Sequence, residues 1–309
     1  MTLGYFTNNN FLNHTAYFGY RWVKPTKLYD NIYLNFNAFY SKRYHPLTYQ
    51  NANINVNVNG QLHNLLQFST DIGFEPSPNN FYEARTPGRV FRGWSDWFIS
   101  GSLQTNNAKK YSVYSPWLYV SRSLFHSKRY QFSFQQKFRF SPKFSIGAST
   151  DLEPQTNNVG YASLSGNDII FGRRNVSTIE NILNFKYSFN DRMVFTTRVR
   201  HYWSKVVYKE YFTLLQDGNL QKNALFNENA NENYNTFTID AVYTWQFAPG
   251  SFINVVWKNN TTTFDTNIND GYLKNFDNTI ASTQNNNFSI KVIYFLDYLQ
   301  LKKGRKNHN

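Results

Sequence analysis

The sequence predicts an all-β protein: an antiparallel, up-and-down transmembrane β-barrel of about fourteen strands. Three observations predict it. Residues alternate between apolar and polar with period two from one end of the chain to the other. The alternating runs are about ten residues long, the length that crosses a bilayer at a tilt, where a globular strand has about five or six. Tight turns alternate with longer connections along the chain, as they do when every second connection lies on the same rim.

The first strand is read as the short Leu3–Phe6. In NIYLNFNAFY, Ile32, Leu34, Phe36 and Ala38 fall on one side, with Tyr33, Asn35, Asn37 and Phe39 on the other. In NANINVNVNG, Ile54, Val56 and Val58 oppose Asn53, Asn55 and Asn57, and Asn59–Gly60 reads as the start of a turn. QFSFQQKFRF sets four phenylalanines (Phe132, Phe134, Phe138 and Phe140) against Gln131, Ser133, Gln135, Lys137 and Arg139. TFTIDAVYTWQF sets Phe237, Ile239, Ala241, Tyr243, Trp245 and Phe247 against Thr238, Asp240, Thr244 and Gln246. FSIKVIYFLDY closes the series, with Ser289, Lys291 and Asp297 on its polar side. Almost nothing reads at helical period.

Tight turns are expected at Lys24–Lys27, Asn59–Gln61, Ser141–Lys143, Asn190–Asp191 and Ala248–Ser251, where Pro, Gly, Asn and Asp supply the backbone. Long polar loops are expected at Pro76–Val90, Glu153–Arg174, Tyr208–Asn233 and Phe264–Asn285. The tight turns form one rim, assigned to the periplasmic side, and the long loops form the extracellular one. Residues 1–299 are read as a single barrel domain and 300–309, with LKKGRKNHN, as a basic tail.

A closed sheet satisfies every backbone donor and acceptor inside a bilayer, so its outer face is free to be apolar and its lumen polar. By phase, the candidate lumen-facing residues are Asn53, Asn55, Asn57, Lys137, Arg139, Glu180, Lys186, Arg198, Arg200, Asp240, Lys258 and Lys291. Both signs are interleaved, which favours a salt-bridged network over a bare pore lining. The asparagines offer a hydrated, uncharged wall that can hydrogen-bond from strand to strand. Trp97, Trp117, Trp203, Trp245 and Trp257 lie in or near strands, as rings at a membrane–water boundary do. Two Gly- and Arg-bearing stretches, YEARTPGRVFRGW and GNDIIFGRRNVSTIEN, are candidate mouth loops, with Arg85, Arg89, Arg173 and Arg174 expected to pair with lumen carboxylates.

Composition narrows the function. Aromatic residues make up 19% of the chain, which argues against disorder. Zero cysteines exclude a thiolate metal site and a Cys nucleophile. The formal net charge of +13 comes from Lys and Arg scattered along the chain, so a nucleic-acid partner is not expected. No apolar run reaches the roughly 18 residues of a membrane-spanning helix, and the start has no signal-peptide pattern. The six histidines are too far apart in sequence to form a ligand pair at metal spacing. His201 is read as interfacial. No phosphate-binding or nucleophile-elbow motif is present. Hence no catalytic, cofactor-binding or metal-binding residue is expected, and no enzymatic activity.

YEARTPGRVF, DIIFGRRNVSTIENIL, RVRHYWSKVVYKEYFTL, FTIDAVYTWQFAPGSFINVVWKN and NFSIKVIYFLDY resemble the C-terminal barrel of a family of uncharacterised outer-membrane proteins. The FGRR, HYWSKV and WQFAPGS segments are the specific ones. In complete members of that family the barrel follows a signal peptide and a β-sandwich similar to family 9 carbohydrate-binding modules. The resemblance implies the outer membrane of a gram-negative bacterium, contact with lipid and lipopolysaccharide, and a link to carbohydrate binding or uptake. It also implies that this chain is truncated at its N-terminus. The expected role is a membrane-embedded conduit or anchor. Two alternatives stay open: a plugged structural anchor without transport, and an outer-membrane hydrolase. A truncated TonB-dependent receptor would need about 22 strands and a plug.

Overall fold

The computed structural model describes residues 10–296. The elements in chain order are β1 (Phe11–Trp22), β2 (Tyr29–Arg43), β3 (Thr48–Leu62), β4 (Gln67–Glu75), β5 (Asn79–Asn80), β6 (Phe91–Arg92), β7 (Asp96–Gln104), β8 (Tyr111–Arg122), β9 (Lys128–Arg139), β10 (Phe144–Ser165), β11 (Asp168–Asn190), β12 (Met193–Leu214), β13 (Leu220–Lys222), β14 (Glu232–Ala248), β15 (Ser251–Asp265), α1 (Tyr272–Ala281) and β16 (Asn285–Ile293). Fourteen of the strands form one sheet. Apart from the short β13, which pairs only with β12, it is a meander in which each strand runs antiparallel to the next. β5 and β6 form a separate two-stranded ladder.

Closure into a barrel is not seen among the described residues: β1 and β16 stand at opposite ends of the sheet order with no ladder between them. The expected first strand, Leu3–Phe6, and the expected lumen residue Asp297 lie outside the described residues, as does the basic tail.

The two rims keep the predicted alternation. Connections 23–28, 63–66, 105–110, 140–143, 191–192 and 249–250 lie on one rim. The other rim carries the β2–β3 turn, the 76–95 segment, a one-turn 3-10 helix at Leu124–His126, the β10–β11 turn, residues 215–231, and the stretch holding α1. One expected turn is wrong. Asn59, Gly60 and Gln61 lie inside β3, paired with Tyr33, Ile32 and Asn31, and the chain reverses only at residues 63–66. Gly60 is a strand glycine because of crowding: a Cβ there would meet the carbonyl oxygen of Asn31 at 2.7 Å.

One of the expected long loops is largely strand, and a second begins as strand. β10 and β11 make a hairpin of 22 and 23 residues that runs through 153–174 without a loop, and β12 continues to Leu214. Extra residues at two points of β10 are absorbed as bulges. The 264–285 stretch contains the helix that period-two reading missed.

The short-turn rim holds a protonation-sensitive latch. The imidazole of His63 faces two acceptors, the carbonyl of Thr26 and the carboxylate of Asp30, the latter at 2.5 Å. Together these raise its pKa above the ordinary 6.5, the carbonyl of Thr26 contributing most. Both ring nitrogens donate only when the ring is charged. The contact between turns 23–28 and 63–66 is therefore complete below about pH 6.5, the unfolded value, and is lost as pH rises through the higher folded value. A ¹H–¹³C titration of His63 is expected to give a midpoint above 6.5; a midpoint at or below it would contradict the latch.

Candidate functional site

Directly paired residues in an antiparallel ladder share a face. Following the pairs from strand to strand, Asn57, Asp71, Ser100, Leu118 and Gln131 form one row. Lys137, Gly147, Asn184, Arg198, Asp240, Lys258 and Asn287 form another. By this tracing Asn53, Asn55, Asn57, Lys137, Arg139, Glu180, Lys186, Arg198, Arg200, Asp240, Lys258 and Lys291 all stand on one face. The opposite face presents exposed apolar side chains, among them Phe18, Phe36, Val56 and Ile72 in one row.

The asparagine wall is hydrogen-bonded across strands. Asn35 donates to Asn57 at 2.7 Å, Asn37 to Asn55 at 2.6 Å, and Asn53 to Glu75 at 2.9 Å. The charged part of the polar face is sorted along the strands. Toward the long-connection rim Arg122 pairs with Asp96 at 2.9 Å and Arg129 with Glu153 at 3.0 Å, and lower on β11 and β12 Arg200 pairs with Glu180. Toward the short-turn rim Asp240 and Lys258 pair at 3.6 Å, besides the His63–Asp30 contact of the turns. Arg139 instead donates to the carbonyls of Asn107 and Ala108 in the neighbouring turn.

At the long-connection rim, segment 76–95 leaves β4, passes β8 and β9, and docks on β10 to β12. The backbone N–H of Tyr161 donates to the carboxylate of Glu83 at 3.0 Å. Arg89 donates to the carbonyls of Leu214 and Leu215 at 2.7 and 2.9 Å. Phe91 packs against Phe171 with the rings tilted and centroids 4.6 Å apart. Ala84, Phe91, Ile169, Phe171, Phe212 and Leu214 form the main buried apolar cluster. Beneath the segment lies a cavity of about 310 Å³ lined by Glu75, Glu83, Trp94, Asp96, Arg122 and Arg174, among others. The directly paired Gly160 and Gly172 make this possible. A Cβ on Gly160 would sit 2.3 Å from the Arg174 guanidinium, and one on Gly172 would sit 2.2 Å from the Tyr208 ring.

The four candidate mouth arginines are placed differently from expectation. Arg173 and Arg174 are strand residues of β11. Arg173 alone meets a carboxylate, Glu210 at 3.0 Å. Arg174 donates to Asn158, to the carbonyl of Tyr161 and to the hydroxyl of Tyr208. Arg85 lies over the Tyr161 ring. The carboxylates that line the cavity, Glu75, Glu83 and Asp96, had no signal in the sequence beyond their place at strand ends and in a loop.

The apolar face carries one buried polar cluster. On β11 to β15 it carries Asn181, His201, Asn233, Asn235 and Thr261, and α1 covers them. Asn233 and Asn235 donate to Asn275 of α1 at 2.8 and 3.3 Å, while Asn181 donates to the Tyr272 hydroxyl at 2.8 Å. His201 is 3% exposed, its Nδ1 2.9 Å from the same hydroxyl, so it is buried beneath α1 instead of lying at an interface. Among the described residues no group of three or more His, Asp and Glu could hold a metal ion, and no helix is long and apolar enough to cross a membrane.

These features define a class: a long-stranded antiparallel meander with one polar and one exposed apolar face, bridged at one rim by its own segment. The chain belongs to the family described as a domain of unknown function, DUF5916, whose model matches residues 2–305. No curated protein and no solved structure matches it.

Proposed function

We propose that the chain is a membrane-embedded β-barrel domain of a gram-negative outer membrane, acting as a conduit or anchor and not as an enzyme. The observation that carries the reading is the exposed apolar belt. On β14 the apolar side of the strand runs from Ile239 to Phe247, half-buried except for the exposed Trp245, between the short-turn rim and the level covered by α1. Nine residues of strand, Ile239 to Phe247, span roughly 30 Å along the strand and roughly 20 Å across a bilayer at the usual tilt, close to the apolar band of outer-membrane barrels. Such a face in water would be an extended apolar patch of the kind that soluble proteins avoid. Lipid and the lipopolysaccharide leaflet are the partners of this belt. The exposed Leu273 and Ile280 of α1 suit its upper border. The link to carbohydrate rests on family resemblance alone.

On this reading the polar face lines the interior, the short turns are periplasmic, and segment 76–95 narrows the extracellular mouth. Its docking favours a second reading, a closed anchor. Fractionation and planar-bilayer recording separate the possibilities. Recovery in membranes after high-salt washing, with a heat-modifiable gel mobility, supports the barrel; recovery in the soluble fraction refutes it. Defined current steps support the conduit, and insertion without current supports the anchor.

A further inference from the structure

The short-turn end of the polar face carries cations that its own carboxylates do not neutralise. A cavity of about 450 Å³ there is lined by Lys137, Gly147, Asn184, Lys186, Arg198 and Asp240, among others. Among the described residues the side chains of Lys137, Lys186 and Arg198 have neither a hydrogen bond nor an ion pair. The one carboxylate in the lining, Asp240, is engaged by Lys258, which lies outside it. This differs from the other end of the same face, where Arg122 and Arg129 each hold a carboxylate.

Geometry gives the vacant charges a common target. Lys137 and Asn184 flank Gly147 in one row, two strand spacings or about 10 Å apart, and Arg198 follows Asn184 directly. Gly147 puts no side chain between them, and a Cβ there would meet nothing nearer than 3.6 Å. Asn184 and Thr196 add neutral donors between the cations. We infer that this cavity binds an oligoanion, a solute bearing two or more phosphate, sulfate or carboxylate groups, with Lys137, Lys186 and Arg198 as its charge partners. The inference deepens the interior-face reading above, but its test does not depend on a membrane.

Inorganic pyrophosphate is the probe, titrated calorimetrically into detergent-refolded full-length chain at low salt. Saturable binding is expected. The double variant Lys137→Gln/Lys186→Gln is expected to weaken it at least tenfold, and Gly147→Asp, which places a carboxylate in the lining where nothing lies nearer than 3.6 Å, to weaken it comparably. Neutralising the tail with Lys302→Gln, Lys303→Gln, Arg305→Gln and Lys306→Gln is expected to leave it unchanged. No saturable binding, binding lost with the tail charges, or equal affinity in the cavity variants would overturn the inference. Failure of the membrane reading would show in fractionation instead.

Discussion

Val56→Arg is expected to destabilise the inserted protein by about 2–4 kcal/mol, the cost of a lipid-facing arginine near the midplane of a barrel. Val56 lies in the exposed row with Phe18, Phe36 and Ile72, and no carboxylate stands beside it. Its neighbour in sequence points the other way. Asn55→Ser gives up the hydrogen bond that its side-chain oxygen accepts from Asn37, a loss of about 0.5–1.5 kcal/mol. Urea unfolding of vesicle-inserted protein measures both, and the contrast between them is the test. Equal tolerance at 55 and 56 would mean that the faces are misassigned, because adjacent strand residues differ in little except the side to which they point.

The second large effect belongs to the mouth. Phe171→Ala removes a fully buried ring from the cluster that anchors segment 76–95, and such truncations cost about 3–5 kcal/mol. The loss falls first on the local unit, since the meander below is held by its own ladders. The expected result is rapid proteolysis within residues 76–95 and faster hydrogen exchange at the Arg92 amide, which donates to Gly218 at 2.9 Å, with the lower strands still protected. Uniform loss of protection would show that segment and sheet unfold together. If the interior conducts, the same variant is expected to raise the current, since it frees the segment that crosses the mouth.

The period-two signal made the faces legible because each residue on a strand must choose a side, and solvent or lipid enforces the choice. The twelve candidate interior residues fall on one face for that reason. Asn59–Gly60 misled because the same dipeptide serves a tight turn and a crowded strand, and only the nearness of the Asn31 carbonyl distinguishes them. Residues 153–174 resembled a loop because Gln155, Thr156, Asn157 and Asn158 are polar and irregular; the long partner β11 keeps them in the sheet. α1 was hidden for a different reason. It buries Asn275 and Thr279 beside the rings of Tyr272 and Phe276 and turns Leu273 and Ile280 outward, so its sheet-facing side mixes polar and aromatic residues and lacks an aliphatic stripe. The mouth cavity was illegible because it depends on a segment reaching strands about eighty residues away, as Glu83 does to Tyr161.

The meander also fixes a matter of parity. Fourteen strands less the accessory β13 leaves thirteen, and with each strand reversing the last, β1 and β16 travel in the same direction. Their free edges therefore cannot zip to each other in the antiparallel manner of every other seam in the sheet. A direct join would be a parallel ladder with slanted hydrogen bonds, whereas an antiparallel seam needs one more strand, or another odd number, between them. A single strand placed between these edges would have its polarity dictated in advance: it would run from the short-turn rim toward the long-connection rim, against both of its neighbours at once.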